Sequence, residues 1–361
     1  MRRYAPLFTG IDHVCVVTRG LDRAVRAWAE RYGVGPWHVW TKDRSNMSAD
    51  YAIRVAMGHF ASGFRIEVIE PLDDRSPYAR SLAGRSGAHV HHVRFDVADY
   101  DTAREQLDVA GAQVAQEEEF AGAPGVAGRL RATYFATEGD LGLVAQIGAV
   151  PAGFAMPEPE SVRMPSGEPI CIGLNHVCVA TTDLDSAVRT WADRYGVGPW
   201  SVYSYDATNM TAFVDGELTD FSMRVALCNL PDGSRIELIQ PLDDGSPYAR
   251  TLAERGADQV HHLRFDVVDY DAADARLRSL GLRRLMDAEF AGAASSAAKF
   301  VGTYYGTEDE LGVIVELGCA QPGFAMPEPV GVYPARVATA PAAWAPPPRE
   351  AAARRRRRRR G

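Results

Sequence analysis

Four histidines and four carboxylate or amide side chains recur at matched places in this 361-residue chain. His13 stands in Ile11-Asp12-His13-Val14-Cys15-Val16, and His176 in its copy Leu174-Asn175-His176-Val177-Cys178-Val179. Glu67 and Glu237 precede Pro71 and Pro241, His92 and His262 close the doublets His91-His92 and His261-His262, and Gln146 and Glu316 lie late in each copy. Side chains alternate across a strand. His13 therefore shares a face with Cys15 and Val17, Glu67 with Arg65 and Ile69, His92 with Arg94 and Asp96, and Gln146 with Val144 and Gly148. On the wet face of an antiparallel sheet such residues would only be solvated. Two imidazoles with two carboxylate or amide oxygens, in otherwise apolar strands, are instead a donor set for a divalent first-row metal. The set occurs twice: His13, Glu67, His92, Gln146 and His176, Glu237, His262, Glu316.

The elements that must carry these residues also repeat. Arg31-Tyr32-Gly33-Val34-Gly35-Pro36-Trp37 returns as Arg194 to Trp200, offset by 163, whereas the later pairs are offset by 170. Seven extra residues thus fall between Met210 and Arg224, expected in a longer strand-strand loop around Asp215-Gly216. The halves span 8–159 and 171–329, joined by a Pro/Ser/Gly-bearing linker at 160–170 and followed by an Ala/Pro/Arg-rich tail at 330–361 expected to be disordered. Within a half, a short strand is followed by a helix with Leu21, Val25, Trp28 and Tyr32 at helical spacing, then by three more strands, and the order βαβββ repeats. Strands this short need a partner sheet to bury one face, so the modules must pair. The fold class is α+β.

Paired βαβββ modules with His on each opening strand and Glu or Gln on the closing strand resemble the vicinal oxygen chelate superfamily, which includes glyoxalase I, extradiol dioxygenases and bleomycin-resistance proteins. Asp12-His13-Val14, Glu67-Val68-Ile69-Glu70-Pro71-Leu72, the His91-His92 doublet and Val315-Glu316-Leu317 are similar to methylmalonyl-CoA epimerase-like members. The resemblance covers about 150 residues twice. It implies a tandem glyoxalase/bleomycin-resistance/dioxygenase fold, four modules pairing into two U-shaped mixed sheets, each around a divalent ion (Co, Ni, Zn, Mn or Fe). It leaves open sites that mix ligands from both halves. The tandem would imitate a two-fold dimer within one chain, with homo-oligomers still open.

By that resemblance one epimerase base is the metal-proximal Glu of the last strand, kept as Glu316 and replaced by Gln146. Glu316 is therefore the expected catalytic base, and the first half is expected to be structural, substrate-holding or differently reactive. The opposing epimerase base falls at Arg54 and Arg224, which would meet the substrate but cannot take a proton. Arg94 and Arg264 share a face with the histidines two residues before them, where a guanidinium can clamp an anionic oxygen. Tyr134 and Tyr304 are placed to donate to the substrate. Cys15 and Cys178 read as small lining residues, not nucleophiles.

Three functions are open to such a site. The favoured one is an isomerase, epimerase or lyase moving a proton through a metal-stabilised enolate of a small anionic carbonyl substrate. A second is an iron(II) dioxygenase on His176, His262 and Glu316, against which Glu237 would fill a position oxygen needs. A third is a binding or resistance protein without turnover. Composition narrows the partners. The chain carries a net charge of -8, but residues 330–361 hold nine arginines and one acid, leaving -16 on the body. An acidic body is a poor nucleic-acid surface. No apolar run of membrane-spanning length occurs and the five cysteines form no CxxC pair, so a cytoplasmic protein is expected.

Overall fold

The computed structural model describes residues 6–334 except Ser86; most of the tail expected to be disordered lies outside the described residues. The first half forms β1 (Gly10–Val17), β2 (Trp37–Lys42), β3 (Ile53–His59), β4 (Arg65–Pro71), β5 (His89–Asp96), β6 (Val114–Ala121), β7 (Arg129–Phe135), β8 (Val144–Ala149) and β9 (Ser161–Arg163). They make one mixed sheet in the order β6-β7-β8-β5-β1-β4-β3-β2-β9. β1 runs parallel to β4, β5 runs parallel to β8, and β1 joins the two modules through an antiparallel pairing with β5. Each module thus contributes four strands, and the seam between modules falls between the two strands that carry histidines.

The second half repeats this with β10 (Cys171–Ala180), β11 (Trp200–Tyr205), β12 (Met210–Val214), β13 (Glu217–Leu218), β14 (Met223–Asn229), β15 (Arg235–Pro241), β16 (Gln259–Val267), β17 (Arg284–Ala291), β18 (Lys299–Tyr305), β19 (Ile314–Ala320) and β20 (Gly331–Tyr333). The extra residues form more than a loop. Asp215 and Gly216 turn with positive φ, and β12 pairs along its length with β17 of the other module. In the first half the corresponding span makes only the single bridge Met47–Phe120. The outer boundaries shift as well. The expected linker contains β9, paired with Trp37–Val39, and the expected tail begins with β20, paired with Trp200–Val202. Each half therefore ends by adding a strand to its own sheet edge.

Helices Leu21–Ala27 and Leu184–Arg189 continue through a wider turn to Tyr32 and Arg194, and bury Trp28 and Trp191 against the outer sheet faces. These faces meet in one core shared by both halves. The contacts come in two-fold pairs. Trp28 meets Phe265 as Trp191 meets Phe95, and the Ser62 amide donates to Ile172 O as the Asp232 amide donates to Thr9 O, both at 3.0 Å. Phe60 stacks on Phe265 with centroids 5.1 Å apart. Because apolar surface is shared, neither half buries its own outer face alone. Phe265→Ala should cost about 3–5 kcal/mol through transfer and cavity terms. A urea titration followed by fluorescence and circular dichroism should show one coincident, shifted transition for the whole chain rather than loss of the second half only.

Candidate metal centres

Alternation and register bring the expected residues together within each half. On β1 and β4, Cys15 lies opposite Glu67, and on β1 and β5 it lies opposite His92, so the ligand strands sit side by side. In the first half His13 Nε2 and His92 Nε2 approach Glu67 Oε2 at 3.5 and 3.4 Å. In the second, His176 Nε2 and His262 Nε2 lie 3.3 and 3.4 Å from Glu237 Oε2 and 3.4 and 3.0 Å from Glu316 Oε2. Both His-Glu-His groups have ligand atoms close enough to share one ion. Among the described residues each group draws its candidate ligand atoms from one half. Gln146, Glu316 and all four histidines are buried.

A buried lone pair without a partner is costly. In the first half His13 Nε2, Glu67 Oε2, His92 Nε2 and Gln146 Oε1 all lack hydrogen-bond partners among the described residues, as does Glu316 Oε2 in the second. One cation in each centre would satisfy them, and His, carboxylate and amide oxygen suit a first-row divalent ion. The outer nitrogens are held for that role. His13 Nδ1 lies 2.6 Å from Asp12 Oδ1, and His176 Nδ1 lies 3.2 Å from Asn175 Oδ1. His92 and His262 each meet the preceding histidine, Nδ1 to Nδ1 at 3.0 Å. Burial opposes ionisation of Asp12, but His13, Arg94 and Arg65 hold its carboxyl below the usual range.

The two centres differ in charge. Glu67 is the one anionic ligand of the first, where burial pushes His92 down to about 4 against the pull of Glu67. The second has Glu237 and Glu316. Burial there is outweighed by both carboxylates, and His262 is held up at about 9. A divalent ion would keep a net positive charge in the first centre and be neutralised in the second.

They differ more in what lies above them. The first centre opens into a cavity of about 390 Å³, walled by Trp40, Met57, His59, Phe120 and Leu130 and by the arm Met156–Pro159. This is a volume suited to a small molecule. At the equivalent places the second half has Tyr203 for Trp40, Tyr205 for Lys42 and Phe300 for Leu130. Tyr205 packs edge-on to Phe290 at 5.0 Å, and Phe290 packs against Phe300 at 6.0 Å, while β12 closes over the same side.

Arg94 lines the cavity, as expected from its face; a Cβ at Gly148 would come within 2.5 Å of its guanidinium, so glycine there makes its room. Arg264 instead lies over the Phe300 ring at 4.3 Å. Arg54 and Arg224 are a correction. The β3 residues facing the cavity are Ile53, Val55, Met57 and His59, so Arg54 projects from the opposite face, to Asp22 and to Glu70 at 3.0 Å. Arg224 likewise pairs with Asp185. Helix acids hold both guanidiniums away from the ligands. Burial pushes the Cys15 and Cys178 thiols up, which leaves them protonated and unreactive.

Tyr134 lines the cavity, and Tyr304 packs edge-on to His262 with centroids 5.0 Å apart. The Tyr78 hydroxyl donates to Tyr134 Oη at 2.9 Å, and the Tyr134 hydroxyl donates to Glu118 Oε2 at 2.9 Å. Glu118 is fully buried, also receives the Tyr51 hydroxyl, and has no cation beside it. Burial raises its carboxyl to about 8, so it carries its proton at neutral pH. The second half has Phe221, Met286 and Ala288 where the first has Tyr51, Gln116 and Glu118. Glu118 sits in the run Glu117-Glu118-Glu119, which reads as a solvated acidic stretch; only the strand's alternation takes the middle one inward.

The residue spans 12–128 and 175–300 match the family model of the Glyoxalase/Bleomycin resistance protein/Dioxygenase superfamily. The chain belongs to this superfamily. It is 31% identical over 116 residues to an ethylmalonyl-CoA/methylmalonyl-CoA epimerase of Cereibacter sphaeroides, covering 32% of this chain and 76% of that one. It is 29% identical over 144 residues to the mitochondrial methylmalonyl-CoA epimerase of Mus musculus, covering 40% and 71%. Among solved structures, a mutant 4-hydroxymandelate synthase from Streptomyces coelicolor superposes with a TM-score of 0.62 at 16% identity, over 89% of this chain and 94% of that one. That likeness is one of fold. Among the described residues no helix is long and apolar enough to cross a membrane.

The raised carboxyl predicts a pH dependence of stability. Its folded value lies above its unfolded one, so the folded state holds the proton more tightly and stability falls as pH rises from about 4.5 toward 8. Glu118→Gln should remove that loss. Relative to wild type, its thermal midpoint should be higher at pH 9 than at pH 5, reflecting a stability difference on the order of a few kcal/mol.

Proposed function

We propose that the chain is a metal-dependent isomerase, epimerase or lyase that acts on a small anionic carbonyl compound, and that turnover belongs to the first half. The observation that carries this is the set of four ligand atoms without partners among the described residues, His13 Nε2, Glu67 Oε2, His92 Nε2 and Gln146 Oε1, on residues of which His13, Glu67 and Gln146 line the cavity. When bound, a divalent ion supplies Lewis acidity that stabilises an enolate oxygen.

The chain's own residues supply the rest. Arg94 and Arg65 line the cavity and attract an anionic group; Trp40, Phe120 and Leu130 exclude water around it. Tyr134 Oη lies between the cavity and Glu118 Oε2; when the carboxyl holds its proton on that oxygen the contact runs the other way, Glu118 donating to Tyr134 Oη and the Tyr134 hydroxyl turning to the substrate, so a proton given up at Tyr134 Oη is replaced from Glu118. His59 is the titratable group that β3 presents on the opposite wall, 3.3 Å from His38. Burial and the neighbouring cations lower its pKa, which leaves a neutral imidazole able to accept a proton. This arrangement departs from a pair of glutamate bases, which makes epimerisation with two such bases a weaker fit than a one-carbon proton shift or elimination. Glu316, expected from its chemistry to be the base, belongs to the more crowded centre; there we assign the ion a structural role and Tyr304 a packing role.

The dioxygenase reading is supported by the two-histidine, one-carboxylate set His13, Glu67 and His92. Oxygen uptake separates it from proton transfer.

Two measurements test the proposal. Metal analysis of the purified chain should find about two equivalents of divalent ion, one lost in His13→Ala and the other in His176→Ala. Methylmalonyl-CoA and a panel of 2-hydroxy and 2-oxo acids in D2O should then show metal-dependent deuterium exchange at a carbon next to a carbonyl. Exchange should vanish in His13→Ala and fall about 10²-fold or more in Tyr134→Phe. Oxygen consumption without exchange would move the protein to the dioxygenases; metal bound with neither would make it a binding protein.

A further inference from the structure

The cavity contains a cation that none of the metal chemistry uses. Lys42 ends β2, its side chain lines the cavity, and it is only 3% exposed. Its Nζ is buried and has no hydrogen-bond partner among the described residues. Two aromatic rings flank it, Trp40 from its own strand and Phe120 from the other module, each with its centroid 5.9 Å from Nζ. Glu160, the acid whose charge reaches it, is committed elsewhere: it accepts from the Thr41 amide at 2.9 Å and from the Thr41 hydroxyl at 3.0 Å.

An unpaired ammonium in an aromatic box is costly unless something anionic comes to it. Its identity is also informative. The chain has 37 arginines and two lysines, Lys42 and Lys299, and Lys299 is an ordinary surface partner of Glu289. A chain that meets almost every other need for a cation with Arg keeps a compact point charge here, where a planar guanidinium would need five donors satisfied. In the second half the position is Tyr205, packed on Phe290. The cation is therefore tied to the open cavity and not to the fold.

Register places it relative to the ligands. Lys42 pairs with Ile53 on β3, whereas Glu67 pairs with Met57, four residues along the same strand or roughly 13 Å. Arg65 and Arg94 lie at the ligand end. We propose that Lys42 is the receptor for a carboxylate at the far end of the ligand, so that the cavity takes an acid with an aromatic or aliphatic body between its chelating oxygens and that carboxylate. This deepens, and rests on, the reading of the first half as the substrate site. Burial lowers the Lys42 pKa, and an acid seated beside it would restore the charge.

The presence of only two lysines makes the test direct. The full-length chain as purified is treated with limiting acetic anhydride, and modification of Lys42 and Lys299 is read by peptide mass spectrometry, Lys299 serving as internal reference. Phenylacetate and hexanoate should slow acetylation of Lys42 by about fivefold or more, whereas phenylacetamide and hexanamide should not. By calorimetry, Lys42→Met should bind phenylacetate about tenfold more weakly or worse, with an undiminished thermal midpoint showing that it is folded. Equal protection by acid and amide, no protection by either, or unchanged phenylacetate binding in Lys42→Met would overturn the assignment. Because acetylation and binding are read without turnover, such a result leaves the proton-exchange reading untouched; protection without later turnover would leave the subsite and remove the reaction.

Discussion

Eight ligand atoms held inside apolar sheets are the constraint on which the rest of this structure depends. Imidazole nitrogens and carboxylate and amide oxygens withdrawn from water, five of them with no donor or acceptor among the described residues to meet them, are among the most expensive arrangements a fold can hold. They are tolerable only if strands fix them around a common point and a cation compensates them. The βαβββ unit does the first part. Parallel pairing of its first and last strands puts a histidine strand beside a carboxylate or amide strand, and the β1–β5 seam puts the two modules' histidines together. Asp12, Asn175, His91 and His261 then hold the outer ring nitrogens. The helices follow from this too: the inner sheet face is given to the candidate ligands and the cavity, so the largest hydrophobic core forms on the outer face, and there the halves share it.

Duplication lets the two copies diverge in what they do with the same frame. The second centre has gained a carboxylate in place of Gln146, aromatic filling in place of Lys42 and Leu130, and a seven-residue insertion that adds β12 beside β17. Each change favours tight retention of an ion over access to it. The first centre carries the opposite set: one anionic ligand, an open cavity, a protonated Glu118 behind two tyrosines, and an unpaired ammonium. These features are costly for stability, and they cluster in one half. Because the outer core is common to both, the more compact half supports the one whose inner face is left partly unfilled.

Much of this was legible in the sequence for a specific reason. Period-two alternation separates His13, Glu67, His92 and Gln146 from Val14, Val68, Val93 and Ala145 without any tertiary information, and an internal repeat shows the same separation twice. What depends on side-chain size across space was not legible. Glu316 against Gln146 reads as a reactive half against an inert one, but whether a substrate can reach either is set by Tyr205, Phe290 and Phe300, residues from three different strands. Arg54 shows a second limit. One residue of offset on a strand exchanges its two faces, and the guanidinium expected at the substrate belongs with Asp22 and Glu70. Glu118 is hidden for a related reason: three consecutive glutamates look alike until the pleat sends one of them inward.

The acidic body and the cationic cavity fit together physically. Apart from its terminal arginines the chain is strongly negative, and such a surface repels anionic molecules in general. Against that background Lys42, Arg65 and Arg94 line one cavity, together with Glu67 and Glu158. Asp12 is shared by Arg65 and His13, and Glu67 lies between the histidines, whereas Lys42 has no partner among the described residues. An anion that enters therefore exchanges a repelling exterior for an unpaired cation, in a site whose apolar walls keep that charge poorly screened. Binding strength of that kind is specific to molecules whose charges are correctly spaced, since a mismatched acid would leave one cation buried and unpaired. The spacing between the ligand cluster and Lys42 is thus the feature of this cavity that most restricts what it can accept.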